Sequence, residues 1–167
     1  PVVISLPFKV IFFVLVDVID DESARKFVGD FKPEHYMLNA QEPMMVGPID
    51  LQDWLFEHKR ANIEATKNVP GVVESVSEEY AKISGRKYDL IEGYKTDDAE
   101  VVIIALGSTA GTAKAACDTM REKGVKAGVL KIRMFRPFPG EKIIEAVAGA
   151  KAIAVLDRSV SCGLGDG

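Results

Sequence analysis

Val101-Val-Ile-Ile-Ala-Leu106, then Gly107-Ser-Thr-Ala-Gly111, decides how this chain is read. The first run is short, wholly apolar and rich in β-branched residues, which predicts a buried strand. Residues 109–123 follow with helical spacing, and Gly124 ends that helix. Two further apolar runs, Ala127-Gly-Val-Leu-Lys-Ile132 and Ala152-Ile-Ala-Val-Leu156, flank a second helical pattern over residues 141–147. Strand–helix–strand–helix–strand is the order of parallel βαβ units, so the fold class is α/β, a parallel sheet with flanking helices. Runs apolar on both faces predict strands covered by helices on both sides.

Outward from this region the totals exclude several classes. The chain has 167 residues, of which 47% are hydrophobic and 28% charged, the composition of a globular protein with a real core. A net charge of −4 argues against a nucleic-acid surface, which needs clustered Lys and Arg. Cys117 and Cys162 form no CxxC pair, so neither a zinc site nor an iron–sulfur cluster is assembled from this chain. Sparse cysteine suits a cytoplasmic setting, and both thiols read as buried apolar groups. Both ends look like cuts, and the chain is expected to be a piece of a longer polypeptide.

Upstream, residues 1–16 are nearly all apolar, but Lys9 and Pro7 interrupt a run already shorter than the roughly 20 residues of a membrane span. Two buried strands split near Pro7 are expected instead. Residues 20–27 read as a short helix stopped by Gly29, and residues 30–48, with Pro33, Pro43, Gly47 and Pro48, as an extended connector. His35 in that connector has no second histidine at metal spacing. A helical hairpin follows. Asp50 is the expected N-cap of a helix over residues 51–66, with Leu51, Trp54, Leu55, Ala61 and Ala65 on its apolar side and residues 57–60 on its solvated face. Pro70 opens the next helix, whose Val72, Val73, Val76, Tyr80 and Ile83 recur at helical spacing until Gly85. Residues 86–98 read as a polar linker.

Ligands of open parallel sheets sit beyond the carboxyl ends of the strands. Three groups occupy such positions. Gly107, Ser108 and Thr109 offer free N–H groups to an anion, or form a capped tight turn; they match neither the P-loop nor GxGxxG. Arg133 and Arg136 lie on a loop stiffened by Pro137 and Pro139, suited to a carboxylate, a phosphate or a domain interface. Asp157 and Arg158 close the third strand and point to opposite faces. No residue is assigned a catalytic or metal-binding role. Gly165-Asp166-Gly167 lacks the downstream Asn-Asn that would complete a thiamine-diphosphate metal motif and reads as chance.

An ordered set of these residues resembles the α-subunit family of pyruvate:ferredoxin oxidoreductases, the 2-oxoacid:ferredoxin oxidoreductases. The set comprises Gly85-Arg-Lys-Tyr88, Tyr94 with Asp97-Asp-Ala-Glu100, Val102 to Ser108, Arg133-Met-Phe-Arg-Pro-Phe-Pro139, Val155-Leu-Asp-Arg158, Ser161 and Gly163. Phe31-Lys-Pro-Glu-His35, Val46-Gly-Pro48 and Phe56-Glu-His-Lys59 add to it, so residues 17–163 are covered. Pro7-Phe-Lys-Val-Ile-Phe-Phe13 departs from the family's pattern, which carries a short polar segment there.

The resemblance implies that residues 1–30 end a thiamine-diphosphate pyrimidine-binding domain. Residues 31–98 are then connector and helical hairpin, and 99–167 a transketolase C-terminal-like (Rossmann-like) domain. It implies CoA-dependent oxidative decarboxylation of pyruvate to acetyl-CoA and CO₂ with reduction of ferredoxin, reversibly. It also implies thiamine diphosphate, Mg²⁺, [4Fe-4S] clusters and CoA in the holoenzyme, none bound by this segment alone, which is expected to be inactive. Other oxidoreductase subunits and ferredoxin are the implied partners, with neither nucleic acid nor membrane among them. Three alternatives stay open: the same family acting on 2-oxoglutarate or branched-chain 2-oxoacids, a transketolase-like enzyme without ferredoxin, and a stand-alone anion- or nucleotide-binding module using residues 107–111.

Overall fold

A computed structural model describes residues 2–5, 11–14, 18–44, 47 and 49–157. In chain order its elements are β1 (Val2–Ser5), β2 (Ile11–Val14), α1 (Asp21–Val28), α2 (Leu55–Thr66), α3 (Val69–Ser84), β3 (Ile91–Tyr94), β4 (Val101–Leu106), α4 (Thr109–Glu122), β5 (Ala127–Ile132), α5 (Gly140–Val147) and β6 (Ala152–Leu156). The chain divides into two units, residues 1–49 with 79–86, and residues 50–78 with 87–167.

In the first unit β1 and β2 pair antiparallel, Val2 opposite Val14 and Ser5 opposite Ile11, as two strands either side of Pro7. Pro7 itself lies outside the described residues. Helix α1 starts where the Asp20 carboxylate accepts the Ser23 N–H at 2.8 Å, and ends at Gly29, which has φ +71° and donates to the Arg25 carbonyl. Phe27 meets the Tyr80 ring edge-on at 5.8 Å, and an Arg86 guanidinium nitrogen donates to the Tyr80 hydroxyl at 3.0 Å.

The second unit is a four-stranded sheet in the order β3-β5-β4-β6. Strands β4, β5 and β6 are parallel, with Val101 opposite both Ala127 and Ala152. All three fall on the predicted apolar runs, and α4 and α5 on the predicted helices. The period of two sorts the core. Val102, Ile104, Leu130 and Ile132 face α5 and pack with Ile143, while Ile103, Ala127 and Val129 face α4 and pack with Ala113, Cys117 and Met120. The Cys117 thiol is wholly buried and donates to the Ala127 carbonyl, in keeping with a packing role.

Four expectations need correction. Residues 86–98 are not simply a linker, because Ile91–Tyr94 forms β3, antiparallel to β5 at the sheet edge. Ile91 packs on the α5 side and Tyr94 on the α4 side, an alternation masked by the glycine and charges in a four-residue strand. Strand β6 is not covered on both faces: every residue in it is exposed, Val155 at 67%. Its hydrogen bonding runs to β4, on one side, among the described residues. Helix α2 starts at Leu55, not 51, and Asp50 does not cap it. Instead Asp50 Oδ1 lies 2.6 Å from His58 Nδ1, one helical turn further in, so His58 is held rather than merely solvated. The apolar side of that helix is not core, since α2 buries no residue and Leu51 and Trp54 are each 65% exposed. No helix among the described residues is long and apolar enough to cross a membrane.

Candidate functional site

The carboxyl ends of β4, β5 and β6 form one edge. Leu106 stands opposite Ile132 and Ala105 opposite Leu156, so Arg133, Gly107 and Asp157 follow in a row across adjacent strands. With neighbouring strands about 4.8 Å apart, their backbones span roughly 10 Å. Sequence order alone separates these residues widely; parallel pairing brings them together.

Gly107 has φ +58°, the left-handed conformation that lets the chain leave β4 and enter α4 within two residues. Ser108 occupies the N-cap position in helical geometry, and its side chain makes no capping bond. Its carbonyl accepts the Gly111 N–H at 3.0 Å. Gly107 and Ser108 are exposed and Thr109 half-buried. The backbone makes a tight turn here, and the serine hydroxyl does not cap the helix.

Arg133 turns toward the opposite strand. One guanidinium nitrogen donates to Glu92 Oε2 at 2.6 Å and the other to the Lys87 carbonyl at 3.5 Å, with the group over the Tyr88 ring at 4.9 Å. Glu92 also receives Lys114 from α4. One carboxylate thus ties edge strand β3 to both α4 and the end of β5. Both cations hold the Glu92 carboxyl below the usual glutamate range, chiefly through the Lys114 hydrogen bond. A carboxyl with a depressed folded-state value stabilises the fold above its unfolded value, about 4.3. That contribution is lost as pH falls through the lower, folded value. Glu92→Gln is expected to lower stability by about 1–3 kcal/mol at pH 7. The deficit relative to the parent should shrink toward pH 3, as urea midpoints measured across that range will show.

Arg136 is exposed and makes no ion pair or hydrogen bond among the described residues. Phe135 and Phe138 beside it are each 56% exposed and stack edge-on at 6.2 Å. Asp157 is exposed; Arg158 lies outside the described residues, as do 159–167 with Cys162 and the terminal Gly-Asp-Gly. The edge row therefore joins Gly107, Ser108, Thr109, Arg133 and Asp157 by position, but the Arg133 charge is engaged by β3.

Reasoning from sequence missed a second network on the α4 side. The Tyr94 hydroxyl donates to Asp118 at 2.9 Å and Lys95 Nζ to the same carboxylate at 2.6 Å. Arg121 grips Asp98 at 2.6 Å and the Lys95 carbonyl at 2.8 Å. The alternation of Ile91-Glu92-Gly93-Tyr94 was the signal available for it. Among the described residues no three His, Cys, Asp or Glu side chains converge as metal ligands.

Comparison with known proteins finds a partial match and several relatives. Residues 99–167 match the pyruvate:ferredoxin oxidoreductase core domain II. Pyruvate synthase subunit PorA of Thermotoga maritima is 48% identical over 148 residues, 89% of this chain and 38% of that protein. The subunit of the same name from Methanocaldococcus jannaschii is 38% identical over 87% of this chain, again 38% of its own length. Ketoisovalerate oxidoreductase subunit VorA of Pyrococcus abyssi is 36% identical over 89% of this chain. The chain thus spans 38% of the length of these relatives.

Proposed function

We propose, for a chain whose residues 99–167 match the pyruvate:ferredoxin oxidoreductase core domain II, that it serves in the α subunit of a pyruvate synthase. The reaction is CoA-dependent oxidative decarboxylation of pyruvate, giving acetyl-CoA, CO₂ and reduced ferredoxin, and its reverse. The 48% identity with a pyruvate synthase subunit across 89% of the chain carries this reading. The 36% identity with a ketoisovalerate subunit makes branched-chain 2-oxoacids the second choice.

In this reading thiamine diphosphate with Mg²⁺ supplies the carbanion chemistry and [4Fe-4S] clusters carry the electrons. Cys117 is no ligand for such a cluster, being sealed in the core with its thiol given to a backbone carbonyl. What these residues contribute is an α/β domain. Its strand-end row of Gly107, Ser108, Thr109 and Asp157, with Arg136 on the neighbouring loop, faces the rest of the holoenzyme. Ferredoxin, CoA and the other subunits are the partners, in the cytoplasm.

The full subunit complex is expected to reduce methyl viologen when given both pyruvate and CoA. Rates with 2-oxoglutarate and 2-oxoisovalerate should be at least tenfold lower. Preference for either of those acids would keep the family and change the substrate. No turnover with any of them, in an intact and cofactor-loaded complex, would overturn the enzymatic reading.

A further inference from the structure

We propose that Ser77, in the middle of α3, is a positioning residue for the strand-end loop 133–139, and that it acts through Tyr88 and Arg133. Ser77 is buried, and its hydroxyl oxygen accepts the Tyr88 N–H at 2.9 Å. Serine is a neutral-to-poor choice for a helix interior. This one serves a backbone group outside its own helix, at the head of segment 87–92, which leads into β3.

That segment holds the loop at both ends. At the entry, the Leu90 carbonyl accepts the N–H of Arg133 at 3.0 Å and that of Met134 at 2.9 Å. The Arg133 guanidinium lies over the Tyr88 ring and donates to the Lys87 carbonyl and to Glu92. At the exit, Lys142 in the first turn of α5 pairs with Asp89 at 3.7 Å. Lys142 also binds Glu74, three residues before Ser77 on α3. Between the two ends, Pro70 of α3 and Leu90 share a cavity of about 420 Å³ with Pro137, Phe138 and Pro139.

The loop needs this support. Pro137 and Pro139 have no N–H to donate, and the bond from the Gly140 N–H to the Phe138 carbonyl only closes its last turn. Its conformation is therefore set by what grips its ends, and both grips trace back to α3. Without the Ser77 hydroxyl, the Tyr88 N–H loses its acceptor in the helix, and the ring beneath Arg133 is no longer fixed. A loop ordered in advance pays less to bind. The consequence for assembly rests on the reading above, in which this loop faces the rest of the holoenzyme; the positioning itself does not.

The test follows hydrogen exchange at single amides in the full-length subunit within its purified complex. In the parent, Tyr88, Arg133 and Met134 should open together, with one common protection factor below the unfolding transition. Ser77→Ala should speed exchange at Arg133 and Met134 at least tenfold. Val125 after α4 and Ala152 at the start of β6, whose local openings leave the Ser77–Tyr88 bond intact, should stay within twofold. With Arg133→Ala already in place, adding Ser77→Ala should change Met134 less than threefold, because its route to the loop is then cut. A merely structural serine would have the same effect in both backgrounds, and that result overturns the proposal. Met134 opening in the parent while Tyr88 stays protected also overturns it, and this measurement needs no variant that might fail to fold. Neither readout involves turnover, so failure here is separable from failure of the proposed reaction.

Discussion

Leu130→Ala is expected to lower the stability of the sheet unit by about 2–5 kcal/mol, the range for truncating a fully buried leucine. Leu130 has no exposed surface and is the largest side chain buried to that degree among the described residues. It sits in the middle of β5, which is hydrogen-bonded to β3 on one side and β4 on the other, and packs with Ile104 and Ile143. Neither neighbouring strand can close the gap without shifting its own ladder, so most of the lost contact is not regained. Val155→Ala gives the scale by contrast. It removes two methyl groups from a residue that is 67% exposed on β6, and its cost should stay within about 0.5 kcal/mol. Guanidinium unfolding midpoints of the two variants against the parent check both numbers. A cost below 1 kcal/mol for Leu130→Ala would mean that β5 is not the centre of the core.

The difference between those two leucine- and valine-bearing strands also shows what was legible in the sequence and what was not. The three apolar runs look alike on paper, and their unbroken apolar, β-branched composition found all of them with their bounds. What a run of Val, Ile and Ala does not reveal is its place in the sheet order. Strand β5 lies second and is buried, while β6 lies last and is exposed, because order depends on pairing between distant residues. Strand β3 was missed for the opposite reason: Ile91 and Tyr94 carry its packing, and Glu92, Gly93, Lys95 and the two aspartates after them give the window a polar average. For the candidate site, the row at the strand ends followed from topology once the strands were known. The fate of each charge did not. Arg133 and Arg136 look equivalent in the sequence, yet one is bound by Glu92, a residue of the unrecognised strand, and the other is unmatched among the described residues. Long-range ion pairs carry no local signature.

Gly128→Ala is the second large effect, and its cause is space rather than backbone freedom. A Cβ at 128 would stand 2.8 Å from the Lys95 carbonyl oxygen, 2.9 Å from the Ala99 Cβ and 3.2 Å from the Thr96 Cα. Two of those atoms are backbone, in the connection that carries the chain from β3 to β4 and lies against β5 at this glycine. That connection is itself fixed, since the Lys95 carbonyl accepts from Arg121 and the Ala99 N–H bonds the Thr96 carbonyl. Lys95 already holds φ +53°, which a non-glycine residue rarely adopts, so little slack is left. Overpacking of this sort costs about 1–3 kcal/mol or more. Gly107→Ala is the control. Nothing lies within 4 Å of a Cβ there, but φ is +58°, so its cost of roughly 1–2 kcal/mol is conformational. The two causes separate on further substitution. Asparagine, which tolerates the left-handed region, should cost less than alanine at 107 and more than alanine at 128. Adding Ala99→Gly should recover only part of the Gly128→Ala loss, because the Lys95 carbonyl remains in the way. A coupling energy from the four unfolding midpoints measures that part. Full recovery would assign the close contact to Ala99 alone, and no loss with Gly128→Ala would mean that the 95–99 connection lifts from β5 at little cost.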